Sequence, residues 1–298
     1  MNCFTAILSI LLCSLCFSEM PAGNWLDAWW TDGGIFITGP KYSGLIFVAD
    51  DGETKVLSKS PGAGFGWAMS PDKTMLAFLA SGDDGQKTIF VGDFPECNPA
   101  PIATGDFGLP FWFSSEILAA YDGTGIMLFD QNGNKTKLNL QTAYMTISTG
   151  EYLLWCDSID VLHIFDLNHR VLLWNKRLFA PIPSPSGEFV LAKELGGEII
   201  LVYVAQCEAR KLCDGELPRW TENPSGVIFL RQRDDGHNIT SSVPMWMPVS
   251  TNGIPGKEIS LNINLNAIIT RIDYDETRGI LAVTDDGAVH TIPYNLGR

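Results

Sequence analysis

The chain has 298 residues, of which 46% are hydrophobic and 18% charged, a globular composition with neither low complexity nor a disordered tail. A formal net charge of -14 argues against a nucleic-acid or anionic-membrane surface, because such affinity rests on Lys and Arg displacing counterions. Cations, cationic ligands and basic protein segments remain compatible, although charge of this kind speaks first to solubility.

The chain opens with an uninterrupted run of apolar or small residues from Phe4 to Phe17, followed by Ser18, Glu19 and Pro21. The run is too short to cross a bilayer comfortably, and it predicts a secretory signal over residues 1–18, cleaved near Ser18. Met1-Asn2-Cys3-Phe4-Thr5 lacks the Lys or Arg that usually begins such a signal. The expected product is an exported monomer, periplasmic or secreted, with one domain over residues 19–298 and no membrane span. Cys3, Cys13 and Cys16 belong to the signal, which leaves Cys97, Cys156, Cys207 and Cys213. An oxidising compartment permits a Cys207–Cys213 bridge across a strand-to-strand turn, and the spacing does not match paired C-x-x-C zinc motifs.

From Thr31 onward, a polar turn recurs just ahead of an apolar run. The anchors are Thr31 (TDGGIFITG), Ser70 (SPDKTMLAFLA), Ser114 (SSEILAAYD), Ser148 (STGEYLLWCD), Ser184 (SPSGEFVLAKE), Asn223 (NPSGVIFLRQR) and Asp275 (DETRGILAVTDD), spaced 39, 44, 34, 36, 39 and 52 residues apart. A four-stranded propeller blade has a period of about 40–45 residues. The predicted fold is therefore all-β, a β-propeller with seven blades by the count of anchors, or six if the last repeat, with three clear strands, is an appendage.

Each repeat adds a third run, such as Leu45 to Asp50, Thr88 to Asp93, Ile126 to Asp130, Leu162 to Asp166 and Ile200 to Val204, rich in β-branched and aromatic residues. Continuous apolarity predicts strands packed on both faces. More polar fourth runs follow at Thr54 to Leu57, Thr136 to Leu140, Arg170 to Trp174 and Ala209 to Leu212, suited to an outer edge. Asn24 to Trp30 reads either as the first inner strand or as the completion of the last blade. The stretch Ser242 to Gly256, with Pro244, Met245, Trp246, Met247, Pro248 and Pro255, reads as an inserted loop. Its Met-Trp-Met segment is either an adaptable contact or cover for the blade beneath it.

The second repeat, Phe65-Gly66-Trp67-Ala68-Met69-Ser70-Pro71-Asp72 followed by Met75 to Phe78, Asp84-Gly85 and Ile89 to Val91, resembles the TolB-type repeat, with Lys73 where that family usually has Gly. Ser184-Pro185-Ser186-Gly187 and Asn223-Pro224-Ser225-Gly226 are similar. The resemblance covers most of the chain after the signal and implies a propeller, a fold that serves protein-binding, sugar-degrading and peptidase contexts alike.

Asp-Gly is hairpin chemistry, and hairpins between second and third strands emerge on the face where the chain enters the inner strands. Asp83, Asp84, Asp122, Asp157, Asp160, Asp234, Asp235, Asp285 and Asp286, with His237, are thus expected around one rim. Carboxylates so placed suit a cation such as calcium or an acid and base pair, and equally suit solvated turns. The anchor turns put Asp32, Asp72, Glu151, Glu188, Glu222, Asp275 and Glu276 on the opposite face. Trp67, Phe111, Trp112 and Trp220 lie near inner strands, either lining the channel mouth or packing between blades. His163, His169, His237 and His290 are too scattered to declare a metal site, and Asp130 to Asn134 departs from the calcium-loop pattern. The chain has no G-x-S-x-G elbow, phosphate-cradling motif or dinucleotide fingerprint. No cofactor is expected. The leading expectation is a non-enzymatic propeller whose rim binds a protein or peptide. The alternative is a lyase or hydrolase acting on a glycan or lactone through rim carboxylates.

Overall fold

The computed structural model describes Met20 and residues 23–82, 84–157, 161–166, 170–263 and 265–296. The expected signal, Asp83, Asp160 and His169 lie outside them.

Antiparallel sheets follow one another along the chain. Unit 1 contains β1 (Asp27–Thr31), β2 (Gly34–Thr38), β3 (Leu45–Ala49) and β4 (Thr54–Ser58). Unit 2 contains β5 (Ala68–Met69), β6 (Met75–Ser81), β7 (Lys87–Asp93) and β8 (Ala100–Gly105), and unit 3 β9 (Phe111–Trp112), β10 (Ile117–Tyr121), β11 (Ile126–Asp130) and β12 (Lys135–Leu138). Unit 4 is β13 (Thr146–Ser148), β14 (Tyr152–Cys156), β15 (Val161–Asp166) and the first part of β16 (Arg170–Pro183). The second part of β16 pairs with β17 (Phe189–Glu194) and begins unit 5, which continues with β18 (Glu198–Tyr203) and β19 (Glu208–Asp214). A register shift between Phe179 and Ile182, with Ala180 at φ 50°, turns this shared strand from one sheet into the next. Unit 6 holds β20 (Glu216–Thr221), β21 (Gly226–Asp234), β22 (Ile239–Pro248) and β23 (Ile259–Ser260), and unit 7 holds β24 (Ile269–Asp275), β25 (Gly279–Thr284) and β26 (Val289–Ile292).

Among the described residues, seven apolar clusters explain the ring, one at each junction between consecutive units. Phe36 and Phe47 meet Leu76 and Phe78 between units 1 and 2, while Ala77, Leu79 and Ile89 meet Leu118 and Phe129 between units 2 and 3. The series continues with Phe111 and Ile126 against Leu153 and Trp155, Leu154 and Ile164 against Val190 and Val202, and Leu191 and Leu201 against Val227 and Phe229. Ile228 and Leu230 then meet Ile272 and Ile280, and finally Leu281 and Val283 of unit 7 meet Ala28, Ile35 and Ile37 of unit 1. Successive residues of a strand point to opposite sheet faces, so an apolar run buries alternate residues against two different neighbours. The ring closes when unit 7 reaches unit 1, and β1 is the inner strand of unit 1 rather than a fourth strand of unit 7.

Three expectations are corrected. Met245, Trp246 and Met247 are buried in β22, the third strand of unit 6, so the inserted loop is confined to the residues after that strand. Cys207 and Cys213 are free: Cys207 lies just ahead of the extended β19 and Cys213 within it, and at about 3.3 Å per residue the strand separates them far beyond disulfide reach. The anchor of the sixth repeat is Thr221 rather than Asn223. Ser70, Ser184 and Thr221 hold the same buried position ahead of β6, β17 and β21. Ser70 Oγ accepts the Met75 N–H at 2.9 Å and Ser184 Oγ the Phe189 N–H at 3.1 Å, while Thr221 Oγ1 donates to Pro224 O at 2.7 Å.

Candidate functional site

Strand alternation separates the turns into two sets. Hairpins between second and third strands share one face, and the turns joining first to second and third to fourth strands share the other.

On the first face, the described rim carboxylates are engaged by nearby backbone N–H groups and side chains. Asp84 accepts the Gln86 N–H at 2.9 Å, Asp234 the Gly236 N–H at 2.9 Å, and Asp285 the Ile268 N–H at 3.1 Å. Asp235 accepts from Asn238 N and His237 N at 2.8 and 2.9 Å, bonds that hold its carboxyl below the usual range. Thr284 Oγ1 donates to Asp286 at 2.6 Å and lowers that carboxyl likewise. Burial pushes the Asp122 carboxyl up, but Lys137 at 2.8 Å and the N–H groups of Thr124 and Gly125 outweigh it and bring it down to about 2. These three shifts all run downward, whereas dividing acid and base roles needs neighbouring pKa values pushed apart. Asp157 instead meets His163 Nε2 at 2.9 Å, and the imidazole stacks on Trp155 with centroids 5.0 Å apart. No three His, Cys, Asp or Glu side chains converge on a metal position among the described residues.

The expected aromatic positions serve the ring itself. Trp112 Nε1 donates to Ala68 O at 3.0 Å and Trp220 Nε1 to Ile182 O at 3.0 Å, each tying an inner strand to the preceding unit. Trp67 packs on Trp29 and Phe36, with centroids 5.5 and 4.8 Å apart. Asp285 lines a cavity of about 340 Å³ beside Trp25, Gln232 and Arg271.

The larger concavity, about 740 Å³, opens on the second face. Its walls are the turn before β14 (Thr149, Glu151), the turn before β17 (Ser186, Glu188), the turn between β18 and β19 (Ala205, Gln206) and the loop after β22 (Thr251, Asn252). Phe189 and Tyr203 form a fixed edge-to-face pair at 5.4 Å, and Tyr203 Oη donates to Gly253 O at 2.7 Å, pinning that loop to unit 5. The Arg210 guanidinium lies over the Tyr203 ring, 5.0 Å from its centroid. Glu151 and Glu188 are expected on this face, but their convergence with Glu208 on one cavity depends on three turns meeting.

Sequence reasoning also misses the ion network at ring closure. Asp27 of β1 receives Arg219 at 2.6 Å and Arg271 at 3.2 Å, and Asp273 receives the Trp30 N–H at 2.8 Å and Arg219 at 3.4 Å. Burial drives the Asp273 carboxyl up, against the pull of Arg219. Arg278, over the Trp30 ring at 4.3 Å, bonds Thr31 O, Gly34 O, Asp50 and Asp275. A charge inside an inner strand, as in Ile272-Asp273-Tyr274, is the signal that would have found it.

No family model matches the chain, and no curated protein matches it in sequence. Solved structures do. A chain of the crystal structure of the mitotic checkpoint complex superposes with a TM-score of 0.65 at 11% identity, covering 91% of this chain and 92% of that one. The β-propeller domain of Cps50 (Swd1) from Myceliophteria thermophila gives 0.50 at 13% identity, over 74% of this chain and 79% of that one. TolB from Acinetobacter baumannii gives 0.50 at 14% identity, over 74% of this chain and 60% of that one. The fold is a TolB-type, WD40-like β-propeller. At these identities the likeness speaks for the fold, and the propeller's chemistry has to be argued from its own side chains.

Proposed function

We propose that this propeller is a non-enzymatic binding protein that receives a protein or peptide on its surface loops. The observation that carries this reading is the cavity of about 740 Å³, whose walls are exposed turn residues from three adjacent blades on a rigid sheet framework. The rim of Asp84, Asp122, Asp234, Asp235, His237, Asp285 and Asp286 is a second, acidic contact surface on the opposite face. A photo-crosslinker installed at Gln206, inside the cavity, is expected to capture a protein from the native extract, whereas one at Asn132, on a turn of blade 3, is not. Equal capture from both positions overturns the reading. So does turnover of a glycan or lactone panel that disappears in Asp84→Asn, Asp235→Asn or Asp286→Asn, since that result installs the enzymatic alternative.

The same proposal places the mature chain outside the cytoplasm as a monomer, after removal of residues 1–18. The apolar run Phe4 to Phe17 supports this, and among the described residues no helix is long and apolar enough to cross a membrane. Intact-mass measurement should find an N-terminus near Glu19; soluble protein that retains Met1 rejects export.

A further inference from the structure

We propose that the cavity on blades 4, 5 and 6 takes an extended protein segment bearing Arg or Lys, with its cationic side chain among Glu151, Glu188 and Glu208. This deepens the peptide-binding reading above and rests on it. The charge balance of the walls is three carboxylates against the single guanidinium of Arg210. Arg210 meets Glu208 at 3.4 Å, while Glu151 and Glu188 are exposed and have no ion-pair partner among the described residues. In Asp84, Asp234 and Asp235 of the rim, by contrast, one carboxylate oxygen already accepts a turn N–H. A free carboxylate on a concave wall is complementary to an incoming cation, and the chain-wide charge of -14 favours its approach.

The aromatic floor points the same way. Tyr203 is held by Phe189 on one side and by its bond to Gly253 O, so its ring is fixed, and a guanidinium already rests over it. That contact shows that the ring offers a cation-binding surface, and Arg210, exposed and on the edge strand β19, occupies it from within the chain. An incoming Arg or Lys displaces Arg210 or shares the carboxylates around it.

The test is fluorescence anisotropy of the full mature chain with a labelled Gly-Ser peptide carrying two arginines, beside the same peptide with glutamine in their place. Binding of the arginine peptide is expected to weaken by about two- to fivefold in each of Glu151→Gln and Glu188→Gln, and to fall as salt rises from about 50 to about 500 mM. Arg210→Gln is expected to tighten it, an outcome that damage to the fold does not produce. Glu53→Gln, in the turn between β3 and β4 of blade 1, leaves it unchanged. No binding of the arginine peptide, equal binding of the glutamine peptide, or affinity indifferent to all three cavity variants overturns the proposal. If crosslinker capture at Gln206 persists unchanged in Glu151→Gln/Glu188→Gln protein, the cation proposal fails while the peptide-binding reading stands; loss of specific capture in the unmutated protein fails the reading itself.

Discussion

The junctions between blades 5 and 6 and between blades 7 and 1 solve the same problem by different means. The first buries Leu191, Leu201, Val227, Phe229, Met245 and Met247 in one of the larger apolar clusters. The second buries the short set of Ala28, Ile35, Ile37, Val48, Leu281 and Val283, and adds the network of Asp27, Arg219, Arg271 and Asp273 with the Trp30 Nε1 bond to Gly279 O at 3.1 Å. Apolar burial is proportional to area and indifferent to direction, whereas buried ion pairs act only in the right geometry. Blade 7 shows three strands among the described residues, and its polar contacts fix where the last blade meets the first. The difference teaches that a ring can be filled by area anywhere but needs directional contacts to define its closing register.

The largest effect is expected from removing Ala288 to Arg298, which deletes β26, takes the buried Leu296 from the junction of blades 6 and 7, and leaves β25 as a bare edge prone to intermolecular pairing. Size exclusion should show association and loss of the cooperative unfolding transition; a monomer with an unchanged melting temperature would show that the polar closure suffices without blade 7's outer strand. Next in size, Asp27→Ala removes the carboxylate that Arg271 pairs with, leaves Arg219 with Asp273 alone, and should cost about 3–5 kcal/mol in urea unfolding. Phe229→Ala, also about 3–5 kcal/mol, works by a cavity and should leave the pH dependence of stability untouched. A mild Asp27→Ala would mean that apolar area closes the ring as well.

Deleting Ser250 to Gly256 removes the acceptor of Tyr203 Oη and uncovers Phe189, so the loop is more than surface decoration. A cost of about 1–3 kcal/mol is expected, located at the apolar junction, and differential scanning calorimetry that finds none would return the loop to a purely entropic role.

Acid should act on the closing junction. Burial pushes Asp275 up, but Arg278 at 2.8 Å and the Thr277 hydroxyl more than offset it, so the folded carboxyl lies well below its unfolded value. A depressed carboxylate contributes stability above the unfolded pKa of about 4 and loses it as pH falls below that value; Asp273, raised by burial, acts in the opposite sense. The net expectation is a loss of about 1–2 kcal/mol below about pH 4 from this junction, so Asp275→Asn should lessen the acid destabilisation of the whole protein. Acid unfolding identical in both proteins would place the sensitive groups elsewhere.

The smallest effect lies at neither junction. Lys73 has φ 59° and an exposed pair with Asp32 at 3.5 Å, while Gly187 in the matching turn of blade 5 has φ 75°. Lys73→Gly should raise stability by about 0.5–1 kcal/mol by relieving the left-handed backbone, and a loss instead would give the Asp32 pair more weight than its exposure suggests.

Much of the fold was legible because its determinants are local. The anchors, the apolar third runs and the polar fourth runs lie on the strands they announced, since side-chain alternation and turn chemistry act over a few residues. Misreadings arose where a local pattern had two solutions. Pro244 and Pro248 suggested a loop around Met245 to Met247, yet β22 accommodates both prolines and buries what lies between them. Thr221 and Asn223 both precede the sixth apolar run, and only burial against Trp246 selects Thr221.

By itself, the sequence determined the strand order, the all-β class, the hairpin and anchor turns and the acidic character of both faces, because periodicity, φ preference and charge are properties of neighbouring residues. Tertiary structure decided which turns share a cavity, which aromatic rings are spent between blades, and that Asp27 meets Arg219 and Arg271 from the far end of the chain. Those outcomes depend on residues roughly two hundred positions apart meeting when the ring closes. Such proximity is set by summed packing over every junction and leaves no trace in a short window of sequence.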